Sequence, residues 1–143
     1  MSQPFTHRNL PSLLLQAREA VMAHYRPGLR VHGLSDPQWR VLRVLGEHGT
    51  VETGRIAREA FILGPSLTGV LVRMERDGLI ARQRDPQDQR STVVEATAKG
   101  LKLVQRLSHT IEAHYDWLEK SIGADKLAQL YALLDDLIEL EQP

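Results

Sequence analysis

Between Ala81 and Thr97 the chain reads ARQRDPQDQRSTVVEAT, placing Arg82 and Arg84 before Pro86, Asp85 and Asp88 around it, and Arg90 after it. Two strand-like runs, LIARQR and STVVEA, meet at this tip, although a turn former or two would suffice to close a hairpin. Guanidinium groups at a projecting tip suit a polyanion, because the narrow groove of a duplex concentrates negative potential and attracts arginine. The expectation is that Arg82 or Arg84 lies along phosphates while Arg90 enters the minor groove. Asp88, two positions before Arg90, is expected to brace that guanidinium in a paired hydrogen bond, and Pro86 to stiffen the loop. A charged tip alone would also serve as an ordinary solvated hairpin, so the preceding residues decide its meaning.

Those residues are PSLTGVLVRMERDG. Leu67, Val70, Leu71 and Met74 fall at i, i+3, i+4 and i+7, one buried stripe of a helix, with Ser66, Thr68, Gly69, Arg73 and Arg76 largely off it. Pro65 suits the first turn and Gly78 the stop. Ile56, Ala57 and Ala60 belong to a shorter helix just before, which Thr50 or Thr53 is placed to cap. Two short helices around a tight turn form a helix-turn-helix. Its second helix would enter the major groove by its N-terminus, with Ser66, Thr68 and Arg73 reaching base edges or phosphates. Pro65, Gly69 and the early amides would allow close approach to an anionic backbone.

The elements that must position these groups are also legible. NLPSLLLQAREAVMAHYR spaces Leu10, Leu14, Ala17, Val21 and Tyr25 as an amphipathic helix, with Pro27 and Gly28 expected to kink or interrupt it. A second helix starts at Ser35, where Gln38 can reach back as a capping partner, Pro37 sits in the first turn and Leu34 can staple onto Trp39. Val41, Leu42 and Leu45 face inward until His48 and Gly49. Thr97 can cap a long helix through Leu101, Val104, Leu107, Ile111, Tyr115 and Leu118, Gly123 stops it, and a last helix carries Leu127, Leu130, Leu134 and Leu137.

The chain has 143 residues, 42% apolar and 25% charged, enough for a real core. The absence of cysteine excludes disulfides, thiol redox sensing and cysteine-ligated metal. The N-terminus lacks a signal pattern and no apolar run approaches the roughly 20 residues that span a bilayer. A soluble, unprocessed, cytoplasmic protein without membrane partners is expected. Net charge is zero, yet residues 1–100 carry 14 basic and 10 acidic side chains while residues 101–143 carry 4 and 8. That polarity is compatible with one end facing nucleic acid.

The segment DGLIARQRDPQDQRSTVVEATAKG, with its spacing of Asp88, Arg90, Thr97 and Gly100, resembles the wing signature of the MarR family of winged-helix transcriptional regulators. GLSDPQWRVLRVL resembles the family's second helix and PSLTGVLVRMERDGLI its recognition helix. Ala96, where many members place leucine, departs from the pattern and is expected to thin the core under the wing. Within the family, LLLQAREAVMAHYRP, LSDPQWRVLRVL and PSLTGVLVRMERDGLI are similar to regulators of homoprotocatechuate and hydroxyphenylacetate degradation operons. The resemblance implies a mainly α fold with a small β-hairpin wing: a winged helix-turn-helix over 34–97, flanked by dimerisation helices in 1–33 and 98–143, in one compact domain. It also implies a homodimeric repressor on a pseudo-palindromic double-stranded operator, released by a small phenolic or aromatic carboxylate. Two reading heads about 34–36 Å apart would match such a site, and the first and last two helices have more apolar face than the central module can bury.

An aromatic acid needs a guanidinium fork for its carboxylate and flat apolar walls for its ring. Arg18, His32, Trp39, Arg40 and Arg43 supply these around the junction of the first two helices, which the expected kink at Pro27 would fold together. Family likeness puts the effector cleft between dimerisation and DNA-binding parts. No HExxH, nucleophile elbow or phosphate-cradling loop occurs, and the six histidines are scattered. His109, Glu112 and His114 do not share one helical face. No enzyme activity, cofactor or metal is therefore expected. The competing reading is a winged-helix protein-interaction module that binds no DNA, distinguished by a weaker response to salt.

Overall fold

The computed structural model describes residues 3–141 and 143. Asn9 starts the first helix, α1 (Leu10–Val31), by accepting the Ser12 N–H on its side-chain oxygen at 3.2 Å. The expected interruption at Pro27 and Gly28 does not occur, and α1 continues through both. Proline's φ is already helical and the loss of its N–H costs about 3 kcal/mol, which is offset by burial of Leu29, about 1.5–3 kcal/mol for a fully buried leucine. Leu29 is only 2% exposed. The chain instead turns at Gly33, whose φ of 72° suits glycine. Gly33 N–H there donates to Arg30 O at 2.9 Å and Leu34 N–H to Leu29 O at 3.0 Å.

Helix α2 (Asp36–His48) begins as its residues dictate. Ser35 Oγ accepts from Gln38 N–H at 3.3 Å and Gln38 Oε1 accepts from Ser35 N–H at 3.0 Å, a reciprocal cap. Leu34 and Trp39 are both buried, as are Val41, Leu42, Val44 and Leu45, and Gly49 ends the helix. A strand that the sequence did not announce follows: β1 (Val51–Glu52) pairs with the far strand of the hairpin, Val51 opposite Val94 and Glu52 opposite Val93. Neither Thr50 nor Thr53 caps α3 (Thr53–Ala60). Thr53 is its first helical residue and Glu52 stands at the cap without a side-chain bond, because pairing with the sheet fixes the backbone here.

Helix α4 (Gly64–Arg76) buries Leu67, Val70, Leu71 and Met74, the stripe read from the spacing. It closes as α1 does, with Gly78 N–H on Glu75 O and Leu79 N–H on Met74 O, both at 3.0 Å. Strands β2 (Ile80–Arg84) and β3 (Thr92–Ala96) form the antiparallel hairpin, in register from Ile80 opposite Ala96 to Arg84 opposite Thr92. The sheet order is β1-β3-β2. The adjacent valines resolve by face: Val94 is fully buried, while Val93 is half-buried. Ala96 is half-buried at the hairpin's base, and Val94 and Ile80 supply the buried apolar groups there.

Thr97 joins the wing to α5 (Ala98–Ile122). Its hydroxyl donates to Gly78 O at 2.6 Å and accepts from Gly100 N–H at 3.1 Å. Thr97 N–H donates to Leu79 O at 3.0 Å, and Lys99 Nζ to Asp77 O at 2.8 Å. Gly100 is buried, and a β-carbon there would run into Leu79 O. Inward positions on α5 are Leu103 and Leu107, whereas Leu101 from the expected stripe is 47% exposed.

The chain forms two compact units, Met1–Leu107 and Ser108–Pro143. The second holds the remainder of α5 and α6 (Ala124–Ile138), with Ile111 and Leu127 buried and Trp117, Leu130, Tyr131, Leu133 and Ile138 exposed. Among the described residues no helix is long and apolar enough to cross a membrane.

Candidate nucleic-acid interface and effector cleft

The first turn of α4 presents Gly64, Pro65, Ser66 and Thr68 to solvent. Its cap residue, Leu63, offers no side-chain acceptor, so the leading amides are open to an external anion. Thr68 Oγ1 donates to Gly64 O at 3.3 Å, leaving its lone pairs as acceptors. Both terminal nitrogens of Arg73 lie 3.7 Å from where a β-carbon on Gly69 would stand. The guanidinium thus lies back along the helix toward its N-terminus, where a β-carbon on Gly69 would make only ordinary contact with it. Among the described residues Arg73 makes no ion pair or hydrogen bond through its side chain.

The wing tip is closed by backbone and carboxylate. Asp85 N–H donates to Ser91 O at 2.9 Å and Ser91 N–H to Asp88 O at 3.0 Å. Asp85 Oδ1 accepts from Gln87 N–H at 2.9 Å. The expected pairing of Asp88 with the Arg90 guanidinium is corrected: Asp88 Oδ1 accepts the Arg90 backbone N–H at 3.1 Å, and Oδ2 the Ser91 hydroxyl at 3.4 Å. A short carboxylate closes a local turn onto the N–H two residues ahead more readily than it reaches the end of a long side chain. The acid therefore shapes the loop, and the Arg90 guanidinium is left exposed without an internal partner among the described residues.

Arg82 and Arg84 are engaged within the fold. Arg82 Nη2 sits 3.0 Å from Glu75 Oε1, and this bond holds the Glu75 carboxyl below the usual carboxylate range. Arg84 Nη1 donates to Gln89 O at 3.0 Å, across the tip.

Around α1 and α2, Arg18, Trp39, Arg40 and Arg43 line one cleft of about 530 Å³, with Ala60 and Phe61 on its far side. They converge without any break at Pro27, because the turn at Gly33 already folds α2 back beside α1. His32 does not join them. It lines a separate cleft with Asp77, Lys99, Lys102 and Arg106, since it caps α1 at the end that lies by the start of α5.

Asp36, which sequence reasoning missed as a site residue, is the carboxylate that Arg18 and Arg40 share, and it lines the neighbouring cleft with Leu29, Gly33 and Gln38. Its Oδ2 lies 2.9 Å from Arg18 Nη2 and 3.5 Å from Arg40 Nε. Arg43 Nε pairs with Glu47 at 3.0 Å. Arg40 Nη1 donates to Ala60 O at 2.7 Å and Phe61 O at 3.2 Å, whereas its buried Nε has no hydrogen-bond acceptor in line. The only sequence signal for Asp36 was an acid in a helix's first turn, which ordinarily serves the helix dipole.

The model of the MarR family matches residues 34–92, which run from the turn before α2 to the first residue of β3. The homoprotocatechuate degradative operon repressor of Escherichia coli is 42% identical over 134 residues, covering 94% of this chain and 90% of its own. The chain belongs to the MarR family. A second relative, the transcriptional regulator FarR of Neisseria gonorrhoeae, is 38% identical over 135 residues, covering 94% of this chain and 92% of its own. Among solved structures, NadR in complex with 4-hydroxyphenylacetate is 38% identical with a TM-score of 0.85, covering 99% of this chain and 100% of that one. The repressor CouR bound to a 23-mer DNA duplex is 26% identical with a TM-score of 0.84, covering 92% and 93%. The resemblance read from the α2, α4 and wing segments thus holds across nearly the whole chain. This MarR-family chain is a mainly α winged-helix transcriptional regulator, and its relatives are named as regulators rather than enzymes.

Proposed function

We propose that this chain is a homodimeric repressor that grips a pseudo-palindromic duplex operator and is released by a small phenolic or aromatic carboxylate. Residues 34–97 form the reading region, and residues 1–33 with 98–143 the dimerisation helices, in a cytoplasmic protein controlling an aromatic-catabolic operon. The observation that carries this reading is the pair of uncommitted guanidinium groups, Arg73 on α4 and Arg90 at the wing tip, flanking a helix N-terminus with open amides. A helix for the wide groove and an arginine for the narrow one is the arrangement that a duplex can accept. Pro65, Ser66, Thr68 and Gly69 serve close approach, while Arg82, Arg84 and Asp88 hold the hairpin in the shape that projects Arg90. A duplex bound to CouR supports this reading of the surface.

Dimerisation is supported by exposed apolar groups: Leu10, Leu14 and Leu15 on α1, and Leu133, Leu137, Ile138 and Leu140 at or beyond α6. Apolar surface of this extent is normally covered by a partner. For the effector, Arg18 and Arg43 supply the carboxylate fork and Trp39 a flat wall, in a cleft whose volume suits a small ligand. The 4-hydroxyphenylacetate held by NadR and the operon named for the Escherichia coli relative point to the same ligand class. The test is a gel shift on the DNA upstream of this chain's own gene, repeated with a panel of phenolic acids that includes 4-hydroxyphenylacetate. A specific complex that dissolves with one of the acids is expected. Failure to shift any duplex containing that DNA would sink the proposal.

A further inference from the structure

Arg40 joins the cleft to the turn that leads into α4. Arg40 reaches across from α2 to the end of α3, where the last turn leaves carbonyl groups without intrahelical partners. Its Nη1 takes two of them, Ala60 O at 2.7 Å and Phe61 O at 3.2 Å. Phe61 is left-handed, φ 53° and ψ 50°, an uncommon state for a bulky side chain, and it is 87% exposed. A left-handed non-glycine residue costs about 1–2 kcal/mol and persists only where its surroundings hold it. Burial of its side chain does not hold Phe61. Three backbone bonds do: its own N–H on Ala57 O, the following Ile62 N–H on Ala57 O at 3.1 Å, and its carbonyl on Arg40. Gly64, three residues on, begins α4.

The other edge of Arg40 meets Asp36. Its Nε is buried, has no hydrogen-bond acceptor in line, and stands 3.5 Å from Asp36 Oδ2, the same oxygen that Arg18 holds at 2.9 Å. One planar guanidinium therefore couples a contested carboxylate to a strained turn. An anion arriving in the cleft competes with Asp36 for Arg18, and a released Asp36 can close the remaining distance to Arg40 Nε and become the acceptor it lacks. Because the guanidinium is rigid, gaining that bond moves Nη1 relative to both carbonyls.

We propose that Arg40 is the positioning residue that carries cleft occupancy to the reading helix: it clamps the α3–α4 turn when the cleft is empty and loosens it when an oxyanion is bound. This rests on the effector reading above and adds the route. Binding energy is transmitted only as far as the ligand prefers the loosened state, so the coupling is bounded by that difference.

The test uses the full-length protein with 4-hydroxyphenylacetate as probe, the variants Arg40→Met and Arg40→Lys, and two readouts. Amide exchange at residues 61–67 of the ligand-free protein reports the clamp. It should rise about tenfold in Arg40→Met and by less in Arg40→Lys, whose single head cannot span both carbonyls and the Asp36 side. Operator affinity, with and without probe at a concentration saturating each variant by its own isotherm, reports the coupling. The parent should weaken by a factor within about 5–150, and Arg40→Met should weaken by a factor near one. Unchanged exchange in Arg40→Met, or a probe effect equal to the parent's, overturns the relay. A parent whose operator affinity ignores every acid in the panel overturns the effector reading instead, and the exchange comparison still decides whether Arg40 clamps the turn. Thermal melts of both variants establish that they are folded.

Discussion

Two sets of arginines in this chain are held in opposite ways. On the proposed reading face, Arg73 and Arg90 have no internal partner among the described residues, while around the cleft Arg18 and Arg40 share Asp36 and Arg43 pairs with Glu47. A surface that meets a polyanion loses affinity if its own acids compete for its cations, so the charges are left to water and counterions until phosphate displaces them. The proposed effector cleft is differently constrained. Three guanidinium groups lining one cleft repel, and Asp36 and Glu47 compensate them. The wing obeys both rules within a few residues: Arg82 and Arg84 are spent on shape and Arg90 is kept free.

The largest blow to this contrast should come from Arg73→Ala. Loss of a base-reaching arginine typically costs about 1–3 kcal/mol, so operator affinity should fall by about 5- to 150-fold, with preference among mutated operators relaxed at the position it reads. Competition binding against a set of single-base variants measures both. Next, Arg90→Ala should weaken binding by about tenfold across all sequences and flatten the salt dependence by roughly one power per protomer. Anisotropy titrations over a range of salt concentrations check the slope, and an unaltered slope would return the wing tip to the status of a solvated loop.

Removing Arg18, which touches the cleft but not the α3–α4 turn, should leave operator binding almost alone. Arg18→Ala is expected to keep operator affinity within about threefold while losing release by 4-hydroxyphenylacetate. Equal release in variant and parent would remove Arg18 from the effector site. The smallest effect belongs to the spent arginine Arg82. Because its bond lowers the Glu75 carboxyl, the ionised pair favours the folded state above the usual carboxylate range, and that contribution disappears as pH falls through the lowered value. The melting temperatures of parent and Glu75→Gln should therefore differ by no more than a few degrees at neutral pH and converge in acid below the usual carboxylate range. Melts at stepped pH would show it, and a gap that widens toward acid would contradict the assignment.

How far the sequence speaks follows the range of the forces involved. The start of α2 was legible because Ser35, Pro37 and Gln38 act on one another within a single turn. So was the α4 stripe, since a period of 3.6 residues is written in the chain itself. Strand β1 was not legible: two residues hold no period, and Val51 and Glu52 are extended only because β3 arrives some forty residues later to pair with them. Asp36 was overlooked for a similar reason, its partner Arg18 lying on another helix. At Asp88 the error was one of reach, a distant guanidinium being preferred to the N–H two residues away. Pro27 shows local propensity overruled by the burial of Leu29.

The junction after α4 constrains how such a protein can move. Asp77, Gly78 and Leu79 each give a carbonyl to Thr97 or Lys99, and Gly100 is pressed against the same stretch too closely for any larger residue. These contacts weld the tail of α4 to the head of α5, so a swing of one drags the other like a crank on its shaft. Slack has to be found at the opposite end of α4, which turns on a single phenylalanine.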